Sequence, residues 1–211
     1  MLALQADGAH NVNLVSPSHV VPQIVAAVDV AARRGLRLPI VYNSNGYEGA
    51  AALRLLDGIV DIYMPDLKYG DDALAARYSA ARGYVAASRA ALVEMQRQVG
   101  DLVLDEEGVA RRGLLIRHLV LPDDRAASRA VLDFVARELG PTTWMSVMAQ
   151  YYPTHRAARV PPLARPLRAA EYASVLERLE ELGLVNGYVQ DPESQVTYRP
   201  DFGRGGHPFE R

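Results

Sequence analysis

The sequence contains no cysteine, so disulfide bonds and thiolate ligands for a metal or an iron–sulfur cluster are excluded within it. It also lacks a run of about 18 apolar residues, the length typical of a membrane-spanning helix. Basic residues are not in excess, because 23 Lys and Arg stand against 25 Asp and Glu, for a net charge of -2. We therefore expect neither a membrane nor a nucleic-acid partner, since nucleic acid is bound mainly through basic residues.

A secretory leader and a metal-ligand pattern are also missing. The first residues do not show the charged and then apolar layout of a secretory signal, so we expect a cytoplasmic protein. His10, His19, His155 and His207 lack the spacing of metal ligands, and no metal site is predicted. The remaining composition, 49% hydrophobic and 23% charged, is typical of one soluble globular domain.

Short apolar runs alternate with helical patterns along the chain. Five runs predict buried parallel strands, because they are rich in β-branched and aromatic residues and each is followed by turn residues. These runs are residues 12–15, 40–42, 59–64, 114–121 and 144–148. Between them, residues 20–28 and 131–139 carry Val, Ile and Leu at helical spacing. This alternation predicts an α/β fold, either a barrel or an open doubly wound sheet, and we favour the barrel.

Other segments interrupt or end this rhythm. We expect a small hairpin over 101–113, an irregular proline-rich loop over 153–166 and an amphipathic helix over 169–182. Residues 191–211 are polar and rich in Gly and Pro, which predicts a mobile tail behind a barrel domain over 1–190.

The chain begins within a helical pattern. Met1, Leu2 and Leu4 look like the last turns of a helix that has no capping residue before it. A complete barrel of eight βα units takes about 250 residues, whereas only five or six strands are predicted here. We expect a partial TIM-like (β/α) barrel with parallel strands that lacks at least one N-terminal βα unit. The edge exposed by that loss would favour self-association.

Functional residues of barrels follow the carboxyl ends of the strands. Polar residues stand at these positions here, and one basic residue lies within the fourth strand. The candidates are Ser16, Asn43, Ser44, Asn45, Asp66, Lys68, Arg117 and Gln150. For Ser16 and Asn43 the alternative is helix capping, and Asn45 with Gly46 could simply form a turn.

Asp66, Lys68 and Arg117 carry the strongest signal. Asp66 and Lys68 stand two residues apart on an extended segment and point to the same side, with a structural ion pair as the alternative. Arg117 lies in an apolar strand and needs an anionic partner, which a ligand carboxylate, Asp66 or another carboxylate would supply. The next residue, His118, must face the other way, and we expect it to pack under a helix.

Several stretches together carry a family resemblance. The clearest are GAHNVNLVSPSH at 8–19, VYNSNGYE at 41–48 and DGIVDIYMPDLKY at 57–69, followed more weakly by IRHLVLP at 116–122, SVMAQYYP at 146–153 and GYVQ at 187–190. They resemble the radical S-adenosylmethionine enzymes, and within them the proteins related to the pyruvate formate-lyase activating enzyme. The match spans most of residues 1–190, and none of these stretches is a catalytic signature.

The resemblance implies a partial barrel that binds a four-iron four-sulfur cluster through a CxxxCxxC loop and reductively cleaves S-adenosylmethionine. It also implies a set of cofactor-binding residues and no catalytic ones. In that set, Ser16 takes the place of a glycine-rich segment that meets the methionine amino group. Polar ligands near the methionine moiety are matched by Asn43, Ser44 and Asn45, and a methionine-aspartate-lysine set is matched by Met64, Asp66 and Lys68. Arg117 matches a basic residue facing the cofactor, and Gln150 lies near the adenine. The family's glycines and glutamate at the first of these positions, and all of its cysteines, are absent here.

Three hypotheses follow, and they leave open whether this chain is itself an enzyme. In the first, it is a truncated, inactive form of a radical enzyme whose longer form carries CxxxCxxC and the cluster. That form would act on a glycyl-radical protein or another protein substrate and take electrons from a donor such as flavodoxin or ferredoxin. The second is a non-redox barrel domain that binds S-adenosylmethionine or a nucleotide. The third is a Schiff-base lyase that uses Lys68 as nucleophile and Asp66 as acid and base.

Overall fold

The computed structural model describes residues 1–191, and one seven-stranded sheet runs through this part of the chain. The strands are β1 (Val12–Val15), β2 (Ile40–Ser44), β3 (Ile62–Pro65), β4 (Val103–Leu104), β5 (Ala110–Leu119), β6 (Trp144–Met148) and β7 (Gly187–Val189). The order is β1-β2-β3-β5-β6-β7 with parallel neighbours, and β4 pairs antiparallel with β5. Of the tail predicted at 191–211, residues 192–211 lie outside the described residues.

Helices occupy the connections between the strands. They are α1 (Leu2–Ala6), α2 (Val21–Arg33), α3 (Ala50–Leu56), α4 (Asp72–Ser79), α5 (Tyr84–Val99), α6 (Ser128–Phe134) and α7 (Ala169–Glu181). Short 3₁₀ turns lie at Ser18–Val20, Pro122–Asp124 and His155–Arg159, and a π-helical turn at Val135–Leu139 continues α6. Within residues 1–191, no helix has both the length and the apolar character needed to cross a membrane.

The predicted α/β fold with parallel strands is confirmed. Along the sheet, the parallel strands follow the order of the chain, without the reversal that defines a doubly wound sheet. The sheet is open, with β1 and β7 at its two edges, which agrees with a partial barrel.

The two faces of the sheet differ in character, because successive residues of a strand point to opposite sides. One face packs against the helices through nearly inaccessible side chains: Tyr42, Tyr63, Leu114, Ile116, Met145 and Val147. Burying one such side chain contributes about 1.5–3 kcal/mol, so this face holds the main core. The opposite face, called the open face below, carries Val41, Asn43, Ile62, Met64, Leu115, Arg117, Trp144 and Ser146.

The predicted hairpin at 101–113 is present and packs on the amino half of the open face. Leu102 joins Val41 and Ile62 in a second buried cluster, and Leu104 packs against it. The two ends of the hairpin approach each other closely at Gly113 of β5, where an added Cβ would press on the carbonyl oxygen of Asp101. The amino half of the open face is therefore apolar and covered by the hairpin.

Some predicted boundaries differ from the observed ones for local reasons. The strand expected at 59–64 begins only at Ile62, because the N–H groups of Ile59 and Val60 donate to Leu56 O and close the end of α3. The helical pattern at 131–139 gives α6 and then the π turn. The loop at 153–166 was expected to be irregular, yet it contains the 3₁₀ turn at His155–Arg159.

The edge strand β1 leaves part of its backbone unpaired, since it pairs only with β2 within residues 1–191. Val15 at its carboxyl end is 68% exposed, and Leu4 and Val30 of α1 and α2 are also exposed. An apolar edge of this kind is a template for pairing with another chain.

We expect the protein to self-associate through β1, and Val15→Lys to weaken this association by placing a charge on the edge. Val93→Lys is the matched control, because Val93 is an exposed valine on α5. Light scattering after size-exclusion chromatography over a range of concentrations measures the effect. A wild-type protein that stays monomeric throughout, or equal behaviour of the two variants, would contradict the expectation.

Candidate functional site

Polar side chains from three neighbouring strands meet at the carboxyl end of the open face. Asn43 lies in β2 next to Met64 of β3, and Asp66, just beyond β3, forms a backbone bridge with Arg117 of β5. Arg117 is in turn the register partner of Ser146 in β6. Parallel register thus brings residues that are far apart in sequence into one row.

Four of the predicted residues are linked into one network. Lys68 Nζ donates to Asp66 Oδ2 at 2.6 Å, and Arg117 Nη2 lies 2.7 Å from Asp66 Oδ1. Arg117 Nη2 also donates to Asn43 Oδ1 at 2.8 Å. The side chains of Asp66, Arg117 and Lys68 are 18%, 28% and 43% exposed, so the network extends from partly buried to solvent-facing.

This network leaves hydrogen-bonding capacity unused. Asp66 Oδ1 is compensated by the guanidinium 2.7 Å away, whereas Arg117 Nε is a buried atom with no hydrogen-bond partner in the described part of the chain. A buried polar atom without a partner costs about 1–3 kcal/mol. Such atoms are uncommon in folded proteins.

The backbone that carries Asp66 and Lys68 is held by other elements, since it lies beyond the end of β3. Leu67 N–H donates to Arg117 O at 2.9 Å, and Lys68 N–H donates to Tyr84 Oη at 2.7 Å. Tyr84 O–H is 3.3 Å from Asp66 O and donates to it. Burial raises the pKa of Tyr84 to about 12, so this hydroxyl keeps its proton.

Tyr84 is a site residue that the sequence analysis missed. It is the first residue of α5 and is buried. In the sequence, nothing distinguishes it from an aromatic residue of the core. Its ring stacks on Tyr47, which follows the turn at Asn45, with ring centroids 5.7 Å apart. The loop after β2 and the segment after β3 are thereby joined through one side chain.

Ser44 and Asn45 do not join the network and serve the local turn. Ser44 is buried and its Oγ accepts from Gly46 N–H, while Asn45 Oδ1 accepts from Tyr47 N–H at 2.9 Å. These contacts are the turn role that the sequence offered as the alternative. Gly46 has φ of 72°, and a Cβ there would lie 2.2 Å from Asp66 O.

The remaining predicted residues lie along the rim of the same face. Ser16 is exposed after β1, with φ of 52°, and its N–H donates to Asn43 O. Met64 packs against the apolar cluster below the network. Gln150 lies beyond β6, and its Oε1 accepts from Gln190 Nε2 at 3.0 Å.

Glu48 is a buried carboxylate that the sequence analysis quoted but did not assign. It is 7% exposed, and Ser18 Oγ donates to its Oε1 at 2.6 Å. Tyr42 O–H donates to the other carboxylate oxygen at 3.4 Å. Glu48 therefore links the loop after β1 to the loop after β2, and its contact with Tyr42 lies on the helix side of the sheet.

Lys68 is unusual in this sequence because no other lysine occurs in it. Of the 23 Lys and Arg residues in the sequence, it is the only lysine. Guanidinium and ammonium groups differ in shape and hydration, so they are not interchangeable at a contact with a carboxylate. A chain that uses arginine for every other cation keeps an ammonium at this one place.

A cluster or metal does not fit the described residues. No group of three or more His, Asp or Glu in residues 1–191 is arranged to hold a metal ion, and the whole sequence has no cysteine. The network offers cations and hydrogen-bond acceptors instead, which suits an organic ligand that carries both charges.

Comparisons with known proteins support the fold. The chain matches no family model. It is 28% identical over 179 residues to an uncharacterised protein of Methanocaldococcus jannaschii, which covers 84% of this chain and 48% of that protein. The chain thus spans about half the length of the curated relative it matches.

A solved structure resembles the chain more completely in shape than in sequence. It is a domain of pyruvate-formate lyase-activating enzyme from Bacteroides vulgatus, with a TM-score of 0.59 and 9% identity. The alignment covers 87% of this chain and 100% of that domain. At this identity the likeness establishes a shared α/β fold.

We expect Gly46→Ala to destabilise the protein more than Gly58→Ala. Both glycines have positive φ, 72° and 76°, so each alanine costs about 1–2 kcal/mol for its backbone conformation. Only at Gly46 would the new Cβ also press on Asp66 O, since nothing lies within 4 Å at Gly58. Urea unfolding of the two variants measures the difference, and equal losses would contradict the close contact.

We also expect the free energy of unfolding to fall below pH 6.5 because of His118. Burial lowers the pKa of this fully buried imidazole, against the opposing effects of the Leu67 hydrogen bond and the carboxylates of Asp124 and Asp66. The unfolded chain binds a proton below the ordinary pKa of 6.5, whereas the folded chain does so only at lower pH. Stability from this group is thus complete above pH 6.5 and is lost as the pH falls from there.

Urea unfolding at about pH 8 and about pH 5 tests this loss of stability. His118→Asn should show a smaller decrease in unfolding free energy between the two conditions than the wild type. An equal decrease in both proteins would assign the pH dependence to other groups.

Proposed function

We propose that this chain binds S-adenosylmethionine at the carboxyl end of its open face, as the cofactor-binding part of a radical S-adenosylmethionine protein. The observation that carries the proposal is the network of Asn43, Asp66, Lys68 and Arg117. The side chains of Lys68 and Arg117 are 43% and 28% exposed, so they leave charged groups within reach of a ligand. The likeness in fold to a domain of pyruvate-formate lyase-activating enzyme supports the choice of ligand.

The chemistry of the network suits this ligand. S-adenosylmethionine carries a carboxylate, an ammonium and two ribose hydroxyls. Lys68 and Arg117 supply cations for the carboxylate, and Asp66 and Asn43 supply oxygens that accept from the ammonium or the hydroxyls. Ser16, Asn45, Met64 and Gln150 lie around the same end of the sheet, with the buried Ser44 in the turn beside Asn45, and we propose that these five residues complete the cofactor site.

Reductive cleavage of S-adenosylmethionine belongs, in this proposal, to a longer form of the protein. The described residues do not fit an iron–sulfur cluster, so a four-iron four-sulfur cluster would need ligands from outside these 211 residues. The curated relative, about twice the length of the aligned region, is compatible with such a form. A glycyl-radical protein or another protein substrate, and a flavodoxin or ferredoxin as electron donor, would be partners of that form. This chain alone would be inactive in radical chemistry.

A non-redox binding domain is the second candidate, and the absence of cysteine favours it. It shares the site and differs only in needing no cluster. The Schiff-base lyase has less support, since its nucleophile is a neutral amine. Lys68 is instead 43% exposed and bound to a carboxylate 2.6 Å away.

We expect the wild-type protein to bind S-adenosylmethionine in buffer without iron, as measured by isothermal titration calorimetry. Asp66→Asn and Lys68→Met should each weaken binding about tenfold or more, because each removes a charged hydrogen-bonding group. Asp29→Asn is the matched control, since it removes the carboxylate of the exposed Asp29–Arg33 pair on α2. Absence of binding by the wild type, or equal affinity of Asp66→Asn and Asp29→Asn, would contradict the proposal.

The single lysine allows a second, independent test. An amine acetylating reagent can modify only Lys68 and the amino group of Met1. We expect S-adenosylmethionine to slow the acetylation of Lys68 and to leave that of Met1 unchanged, as mass spectrometry of peptides would show. Equal protection of both amines, or of neither, would place the ligand elsewhere.

A further inference from the structure

On the helix side of the sheet, behind the strand that carries Arg117, lies a buried imidazole that the proposed function does not use. His118 follows Arg117 in β5 and points to the opposite face, as expected from strand alternation, and it is 0% exposed. Its Nδ1 lies 2.7 Å from Leu67 O, and its Nε2 lies 2.9 Å from Ser128 Oγ.

The partners fix which ring nitrogen carries the proton. Leu67 O can only accept, so Nδ1 carries the hydrogen and donates it. Nε2 of the neutral ring then accepts from the Ser128 hydroxyl. Ser128 begins α6, and its own N–H donates to Asp124 Oδ1 at 2.8 Å. The imidazole thus joins the start of α6 to the peptide between Asp66 and Lys68.

The direction of the Leu67 side chain determines the face to which the side chains of its two neighbours point. Its side chain is buried under the helices, so Asp66 and Lys68 must face the open side. This segment lies past the last strand residue, Pro65, and Asp66 N–H still donates to Ser44 O of β2 at 2.9 Å. Arg117 O holds Leu67 N–H, and His118 Nδ1 holds Leu67 O.

We infer that His118 is a positioning residue of the ligand site, which acts through Leu67 O to keep Asp66 and Lys68 directed at the ligand. The inference rests on the proposed function for its ligand. A histidine that only fills the core would affect stability alone, whereas a positioning histidine affects affinity through one of its two hydrogen bonds.

Two substitutions separate the two bonds. In His118→Asn the amide can take the place of Nδ1 and donate to Leu67 O, while the contact with Ser128 is lost. In His118→Gln the longer side chain reaches the place of Nε2 and leaves Leu67 O without its donor. Ser128→Ala removes the hydroxyl partner and leaves the Leu67 bond intact, so it is a control that does not alter the imidazole.

The test measures affinity for S-adenosylmethionine by calorimetry in the wild type and these three variants. We expect His118→Gln to bind about tenfold more weakly, because a buried carbonyl loses its donor. His118→Asn and Ser128→Ala should stay within about threefold of the wild type, within the effect of an ordinary hydrogen bond. Equal losses in His118→Asn and His118→Gln, or an unchanged affinity in His118→Gln, would overturn the inference.

Amide hydrogen exchange makes the inference testable without the ligand. The Lys68 N–H donates to Tyr84 Oη, so its exchange rate reports on the order of this segment. We expect about tenfold faster exchange at Lys68 in His118→Gln than in His118→Asn. If the wild type binds no S-adenosylmethionine but this difference appears, the proposed function fails and the positioning role stands. Equal exchange in the two variants overturns the positioning role itself.

Discussion

The parallel register between β3 and β5 is the constraint on which the site depends. These strands are not consecutive, since α4, α5 and β4 lie between them, yet they pair through Ile62 with Gly113 and Tyr63 with Leu114. The same register places Asp66 beside Arg117. A slip of one residue would turn Arg117 toward the helices and His118 onto the open face. Gly113 N–H donates to Asp61 O at 2.9 Å, which continues this register to the start of β3.

The sheet separates two environments that serve different purposes. The helix side is a continuous apolar core, which stabilises the fold, and the buried His118 within it has both ring nitrogens hydrogen-bonded. The open side carries charges that are only partly buried, which lowers the desolvation cost of bringing a carboxylate and two cations together. The main core and the proposed ligand site thus lie on opposite faces of the same strands.

Much of the fold follows from local pattern. The strands at 12–15 and 144–148 have the predicted bounds, because their apolar runs end where turn residues begin. Ile59 and Val60 are apolar but close the end of α3 through Leu56 O, and a strand pattern in the sequence cannot reveal that. The meeting of Asp66, Lys68 and Arg117 was predictable from alternation and from the common edge of parallel strands. Tyr84 was not, since its role arises only when α5 packs against a segment 16 residues earlier in the chain.

The hairpin of β4 and β5 limits the shape of whatever the open face holds. Leu102 and Leu104, together with Leu115 and Trp144, occupy the amino half of that face, and Met64 packs against this cluster from the carboxyl side. A molecule bound to Asp66 and Arg117 therefore rests on an apolar floor and cannot extend toward the amino ends of the strands. The hairpin thus leaves only the carboxyl half of the open face available to a ligand of the proposed site.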